Sequence, residues 1–292
     1  MNEAGVLSGQ RAWRTGLGSL SLDRPRVMGI LNVTPDSFWA GSRSTDPSEA
    51  LARADAMLEE GADLLDVGGE STRPGARAVS ADLEVSRVVP VVRALARRYP
   101  QVPVSVDTVK SDVARAALAE GAAIVNDVSG LRLDPALGPL VAEHGAGLVL
   151  MHSRGTVERM ASYDEADYDA DAVGLVVREL SVALQRAAEA GVDEASIVVD
   201  PGLGFAKRTD HSVDVLAGLP RIAALGRPIL VGPSRKRFIG ELAGGAPPED
   251  RLPGTIAACV AALDRGASIF RVHDVGPVRQ ALTVAHAIRA ER

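Results

Sequence analysis

Polar side chains recur at the ends of short apolar runs, and their types define the chemistry open to the chain. Ile197-Val198-Val199 runs into Asp200; then Pro201 cannot donate to a strand ladder and Gly202 tolerates unusual dihedrals, so the run stops at the carboxylate. Alone, such an Asp caps the turn that follows it. The pattern repeats, though: Asn32, Asp66 with Glu70, Asp107, Asn126, His152, Lys236 just past Ser234, and Arg271 with His273 stand at comparable places. Gathered at one rim, Asp107, Asp200, Asn126 and Lys236 make a cup that accepts and donates in a plane. A carboxylate accepts a paired NH/NH₂ edge and an ammonium meets a carbonyl, which suits a flat heterocycle. Arg73, Arg271 and His273 form a separate basic set suited to an anion such as a phosphate. Asp66 is expected only to brace neighbouring backbone.

Several other chemistries have no support. The chain lacks H-E-x-x-H, a cysteine cluster, G-x-S-x-G and G-x-x-x-x-G-K-[ST], which argues against zinc, serine acyl transfer and a P-loop. Gly202-Leu203-Gly204 reads as a tight turn, and Arg235-Lys236-Arg237 is too short for a nucleic-acid patch. A net charge of −6 also argues against nucleic acid or an anionic membrane as partner, while leaving room for one phosphate group. The single Cys259, in an Ala-rich helical pattern, reads as a small core residue in a reducing compartment. No apolar run approaches the ~20 residues that span a bilayer, and Met1–Gln10 has no signal-peptide character, so a cytoplasmic setting is expected.

Such a cup needs a fold that brings many strand ends to one face. From Val27 onward one unit repeats: apolar strand, polar turn, amphipathic helix, glycine. The strands read as Val27–Val33, Leu64–Gly69, Val102–Thr108, Ile124–Ser129, Gly147–Ser153, Ile197–Gly202, Pro228–Ser234 and Ile269–Val275. A helix over Ser48–Glu60 has Asp46 or Ser48 as N-cap and Gly61 as stop; another over Val173–Ala190 carries Val173, Val176, Val177, Leu180, Leu184 and Ala187 on one face. Gly244–Pro253 reads as a break within or between helices on the seventh unit. Eight units at spacings of roughly 25–40 residues predict an α/β protein, a (β/α)₈ TIM barrel of ~250 residues. A doubly wound open sheet is the alternative, but its phosphate fingerprint is missing from the first turn. Residues 1–26 form an N-terminal extension whose hairpin, with Trp13 and Leu20, can cover one barrel end; residues 27–292 form the barrel. Long turns over Thr34–Pro47, Glu70–Ala81 and Arg154–Asp171 are where function can sit, the acidic third reading as a solvated loop.

The ordered motifs VMGILNVTPDSF, DVGGESTRPGA, VSVDT, NDVSG, DPGLGFAK, VGPSRKRFIG and RVHDV resemble dihydropteroate synthase of folate biosynthesis, a pterin-binding family. The resemblance covers Val27 to about Ala287. It implies a homodimeric (β/α)₈ barrel that joins 7,8-dihydropterin-6-ylmethyl diphosphate to p-aminobenzoate with Mg²⁺, releases pyrophosphate, and is a target of sulfonamides. It further implies a pterin pocket of Asp107, Asn126, Asp200, Lys236 and Arg271, floored by Met151. Asn32 matches the position that approaches the metal and pyrophosphate, and Arg271 and His273 match the pyrophosphate-binding pair. Thr72, Arg73 and Pro74 match a second loop that, with Phe205, Ser234 and Lys236, handles p-aminobenzoate; the helix start after Ser234 suits its carboxylate. Asn32, Arg73, Lys236, Arg271 and His273 are thereby the expected catalytic set. The implied mechanism breaks the carbon–oxygen bond as the pterin ring stabilises a cationic methylene, and a neutral arylamine attacks without an early general base. Trp39 and Ala40 depart from the usual first loop, and Ser153 stands where Met is common. A non-catalytic pterin-binding paralogue and a pterin methyltransferase with a corrinoid partner share the carboxylate cup and are the alternatives.

Overall fold

The computed structural model describes residues 12–34, 47–71, 78–168 and 170–290. The chain opens with an antiparallel hairpin of β1 (Ala12–Thr15) and β2 (Gly18–Ser21), turned through Gly18 at φ +103°. Eight parallel strands follow: β3 (Arg26–Asn32), β4 (Leu64–Gly68), β5 (Val104–Asp107), β6 (Ile124–Asp127), β7 (Gly147–Met151), β8 (Ile197–Asp200), β9 (Ile229–Val231) and β10 (Ala267–Val272). They close in sequence order, with β10 paired to both β9 and β3. That closure is the (β/α)₈ barrel and rules out the open doubly wound sheet.

The barrel strands are buried on both faces and, apart from β5 with its inward Ser105, carry apolar side chains on both, yet their residues sort with period two. Leu65, Val67, Val104, Val106, Val125, Leu148, Leu150 and Ile197 pack outward with helix side chains. Val199, Val231, Phe270 and Val272 do the same on the other half of the ring. The alternate residues Met28, Leu64, Ile124, Val149, Val198, Leu230 and Ile269 fill the interior. Two residues further on, β3 still carries the apolar Ile30, while the rest of the inward series becomes Asp66, Asn126, Met151, Asp200, Gly232 and Arg271. The barrel is therefore oily at its N-terminal end and polar at its C-terminal mouth.

Trp13 closes the oily end. It is completely buried among the interior side chains and donates from Nε1 to Ser196 O at 2.7 Å. A Cβ on Gly147 would lie 3.2 Å from its ring, so the glycine makes room for it.

The helices deviate only at their ends. The first is Ser48–Glu59, with Pro47 at the N-cap and no side-chain cap bond; Asp46 lies outside the described residues. Gly61 stops it at φ +97°. The helix Ala172–Glu189 buries Val173, Val176, Leu180 and Ala187 as expected, with Val177 and Leu184 partly covered, and Asp171 caps it by accepting from Gly174 N. The expected break separates helices Arg237–Leu242 and Leu252–Asp264. Among the described residues no helix is long and apolar enough to cross a membrane.

Candidate active site

The strand register aligns the first four site positions. Asn32 pairs with Gly68, Gly68 with Asp107, and Asp107 with Asn126, so these positions lie side by side at the ends of β3 to β6. A Cβ on Gly68 would stand 3.5 Å from Asn32 Oδ1 and 3.7 Å from Asp107 Oδ2, so the glycine opens space between amide and carboxylate. Met151, at the end of β7, packs with Val109, Val128, Met160 and Phe205. Its register partner is Asp200 at the end of β8.

Arg271 ties this rim together. Its Nε donates to Asp66 Oδ2 at 2.6 Å and its Nη2 to Asp107 Oδ2 at 2.7 Å. Asn126 Nδ2 donates to the same Asp66 oxygen at 3.1 Å, which turns the amide carbonyl the other way. Asp66 is completely buried and its Oδ1 has no hydrogen-bond partner among the described residues. It orients two site side chains rather than bracing backbone, and the expectation from sequence is corrected accordingly. An inward position two residues before a strand end was the signal for it.

Burial shifts the rim's titrations. Asp107 is pushed up to about 7 by burial, against the pull of Arg271, with Asp66, Glu84 and Asp127 pushing further. Asp200 is pushed up to about 6 by burial, offset by the Gly202 N–H, which it binds at 2.7 Å, and by the charges of Lys236, Arg271 and Lys207. Lys236 is drawn down to about 8 by burial and by Arg271, partly offset by Asp200 and Asp107. Its Nζ stands 3.7 Å from the Phe205 ring centroid, a cation–π contact. Lys236 therefore touches the aromatic ring while its charge is felt by Asp200 and Asp107.

Beyond β9, Ser234 Oγ accepts the backbone N–H of His273 at 3.2 Å and lies 3.0 Å from His273 Nδ1. Arg235 occupies a left-handed turn at φ +58° and points away, to Asp274 at 2.6 Å. The helix after Ser234 starts only at Arg237 and spans six residues, with Lys236 at its N-cap. Thr72, Arg73 and Pro74 lie outside the described residues, as do Asp36, Phe38, Trp39 and Ala40. The stems of the second loop are described: Glu70 accepts Val79 N at 2.6 Å, and Lys110 Nζ bridges Glu70, Glu84 and Val79 O.

His152 does not join the rim. Met151 faces inward, so the next residue faces outward, and His152 Nε2 lies 2.8 Å from Glu179 Oε2 in the surrounding helix layer. Sequence reasoning also passed over Lys207, whose ammonium is buried behind the Asp200 turn. Ser153 Oγ is used structurally, donating to Val128 O at 2.6 Å.

Among the described residues no three His, Cys, Asp or Glu side chains converge as a metal cage. Asn32 offers a single hard oxygen at the rim, which fits a cation that keeps water and substrate oxygens around itself.

Comparison with known proteins is in line with this geometry. The family model for pterin binding enzyme matches residues 28–273. Dihydropteroate synthase of Mycobacterium leprae is 48% identical over 273 residues, 92% of this chain and 95% of that protein. The solved dihydropteroate synthase of Xanthomonas albilineans with 4-aminobenzoic acid superimposes with a TM-score of 0.88 at 46% identity, covering 96% of this chain and 99% of the other. That of Burkholderia cenocepacia, complexed with 7,8-dihydropteroate, gives 0.86 at 44% identity over 97% and 98%.

Proposed function

The chain belongs to the pterin binding enzyme family, and from that premise we propose that it is a dihydropteroate synthase. It condenses 6-hydroxymethyl-7,8-dihydropterin diphosphate with p-aminobenzoate to give 7,8-dihydropteroate and pyrophosphate in folate biosynthesis. The observation that carries this reading is the meeting of Asp107, Asn126, Asp200, Lys236 and Arg271 at one barrel mouth, beside Phe205 and Ser234–His273.

The proposed roles follow the donors and acceptors. Asp200 accepts the NH/NH₂ edge of the pterin, Asn126 and Asp107 complete the ring's polar contacts, and Lys236 donates to its carbonyl over the floor of Met151. Arg271 and His273, with Arg73, take the diphosphate, where charge develops as the carbon–oxygen bond breaks. Phe205, Lys236 and Ser234, with Thr72, Arg73 and Pro74, hold p-aminobenzoate so that its neutral nitrogen faces the methylene carbon. Pyrophosphate departs with the electron pair of the carbon–oxygen bond as the pterin ring stabilises the cationic methylene; the arylamine nitrogen then forms the C–N bond and loses its proton to solvent. Mg²⁺, when bound, neutralises charge on the diphosphate oxygens; Asn32 Oδ1 is the protein group that would hold it.

We read the active species as a homodimer, from the family resemblance; light scattering on the purified protein tests this by its mass. The activity is tested by a pyrophosphate assay. Release is expected only when both substrates and Mg²⁺ are present, and its absence under those conditions refutes the assignment.

A further inference from the structure

Behind the 201–206 turn lies a chain of polar groups that the reaction itself does not use, buried at Lys207 and His152 and reaching solvent at Glu179. Lys207 is 1% exposed, and its three N–H bonds have three acceptors: His152 Nδ1 at 2.7 Å and the carbonyls of Gly202 and Phe205 at 3.1 Å each. A neutral amine would turn a lone pair toward one of them, so this set selects the ammonium. Burial opposes that charge and draws Lys207 down to about 7. With Nδ1 accepting, the imidazole proton sits on Nε2 and is donated to Glu179 Oε2 at 2.8 Å. Burial, reinforced by Lys207, holds His152 down at about 4, so the ring is neutral at pH 7. Glu179 is fixed in turn by Arg154 Nη2 at 2.5 Å. The Tyr168 ring covers the group, 4.3 Å from the Arg154 guanidinium carbon and 5.7 Å from Lys207 Nζ.

What this chain holds is an improbable backbone. Gly202, Gly204 and Ala206 have φ of +67°, +74° and +47°. A Cβ at Gly202 would sit 2.0 Å from His152 O, so only glycine fits there. Ala206 lacks glycine's freedom and keeps its conformation only because its surroundings over-determine it; its N–H is held by Met160 O at 2.6 Å. The carbonyls of Gly202 and Phe205 meet at Lys207. The site-facing groups belong to the same turn: Asp200 Oδ1 accepts Gly202 N, and the Phe205 ring lies under Lys236.

We propose that Lys207, oriented by the Glu179–His152 pair, is a positioning residue that fixes residues 201–206 and so sets where Phe205 and Asp200 meet the two substrates. This rests on the activity proposed above. A lysine that merely filled the core would contribute to stability and leave the turn's local order and the substrate affinities of folded protein unchanged.

The test compares Lys207→Met, which keeps the stem and removes the N–H groups, with a His152 pair. In ligand-free Lys207→Met, hydrogen exchange at the Phe205 and Ala206 amides is expected to speed roughly tenfold or more. The KM for p-aminobenzoate is expected to rise roughly tenfold or more, with kcat changed far less. His152→Gln keeps one acceptor and one donor and is expected to stay within about threefold of wild type, whereas His152→Leu follows Lys207→Met. Wild-type exchange and wild-type KM in folded Lys207→Met overturn the proposal. Should Lys207→Met fail to fold, the His152 pair decides alone, and equal loss in Gln and Leu overturns it. A wild-type protein that releases no pyrophosphate removes the proposed activity but leaves the exchange measurement to judge the turn.

Discussion

Arg271 Nη2 donates to Asp107 Oδ2 at 2.7 Å, joining the last strand of the barrel to the third across the mouth. The same guanidinium holds Asp66, so one cation serves two inward carboxylates before any substrate arrives. A ligand that uses Asp107 must share that carboxylate with Arg271 or displace it.

Arg271→Ala removes both this tie and the charge proposed for the leaving pyrophosphate. The expected result is a fall in kcat of roughly 10²-fold or more, as when one oxyanion donor is lost. Lys at the same place restores little, because an ammonium cannot span the two carboxylates with a planar fork. Steady-state kinetics check this; a loss confined to the KM of p-aminobenzoate refutes the role.

Asp200→Asn is expected to separate binding from stability. An amide has one acceptor oxygen, already occupied by Gly202 N, and so cannot take the pterin's paired N–H groups. Pterin affinity should fall at least roughly tenfold. The stability change has the opposite sign. The folded pKa is raised, to about 6, so the native state binds more protons than the unfolded chain between the ordinary carboxylate value and 6. Stability is therefore lost as pH rises through that window, and at pH 7 the buried charge costs on the order of 3 kcal/mol. Asn relieves that cost, and a raised Tm at pH 7 alongside weakened pterin binding, by calorimetry, is the expected pair.

Pterin affinity of the unmodified protein should climb with pH. Asp200 near 6 and Asp107 near 7 offer both oxygens as acceptors only when ionised, so affinity strengthens as pH rises through these values. Both groups sense Arg271 and Lys236, and two ionisations about one unit apart broaden the curve. Titrating the pterin at fixed ionic strength measures this, and a flat profile from about pH 5 to about pH 8 rules the carboxylates out.

Trp13→Ala tests the plug. Emptying a fully buried indole and orphaning Ser196 O is expected to cost about 3–5 kcal/mol. Thermal or denaturant unfolding reads the loss; a change below 1 kcal/mol would show the hairpin to be dispensable.

Asn32→Ala should raise the Mg²⁺ concentration needed for half-maximal rate while leaving pterin affinity in the absence of metal unchanged. An identical Mg²⁺ dependence would mean that the side chain does not approach the ion.

Much of the fold was legible because most strands announced their own ends: the apolar runs of β3 to β6 and of β8 stop at Asp, Asn or Gly, and helices stop at glycines such as Gly61 and Gly191, both at positive φ. The inward and outward sorting was harder to see. Both faces of these strands are apolar, so alternation leaves no trace in composition. It surfaces only at polar residues: Asp66 and Asp200 fall on the inward count, and His152, one beyond Met151, on the outward. Reading parity from those points would have promoted Asp66 and removed His152 from the rim. Lys207 had no such signal, since a lysine after a glycine-rich turn is ordinarily at the surface. Its partner His152 is held in turn by Glu179, contributed by a helix that follows a different strand.

The sealed end has one more consequence. With apolar side chains filling the interior and Trp13 packed beneath them, the barrel is a cul-de-sac, and everything that visits it shares a single doorway. Spent pyrophosphate must retreat along the route by which the next diphosphate approaches. Congestion at that threshold, and not only bond making inside, then becomes a quantity that added pyrophosphate can expose.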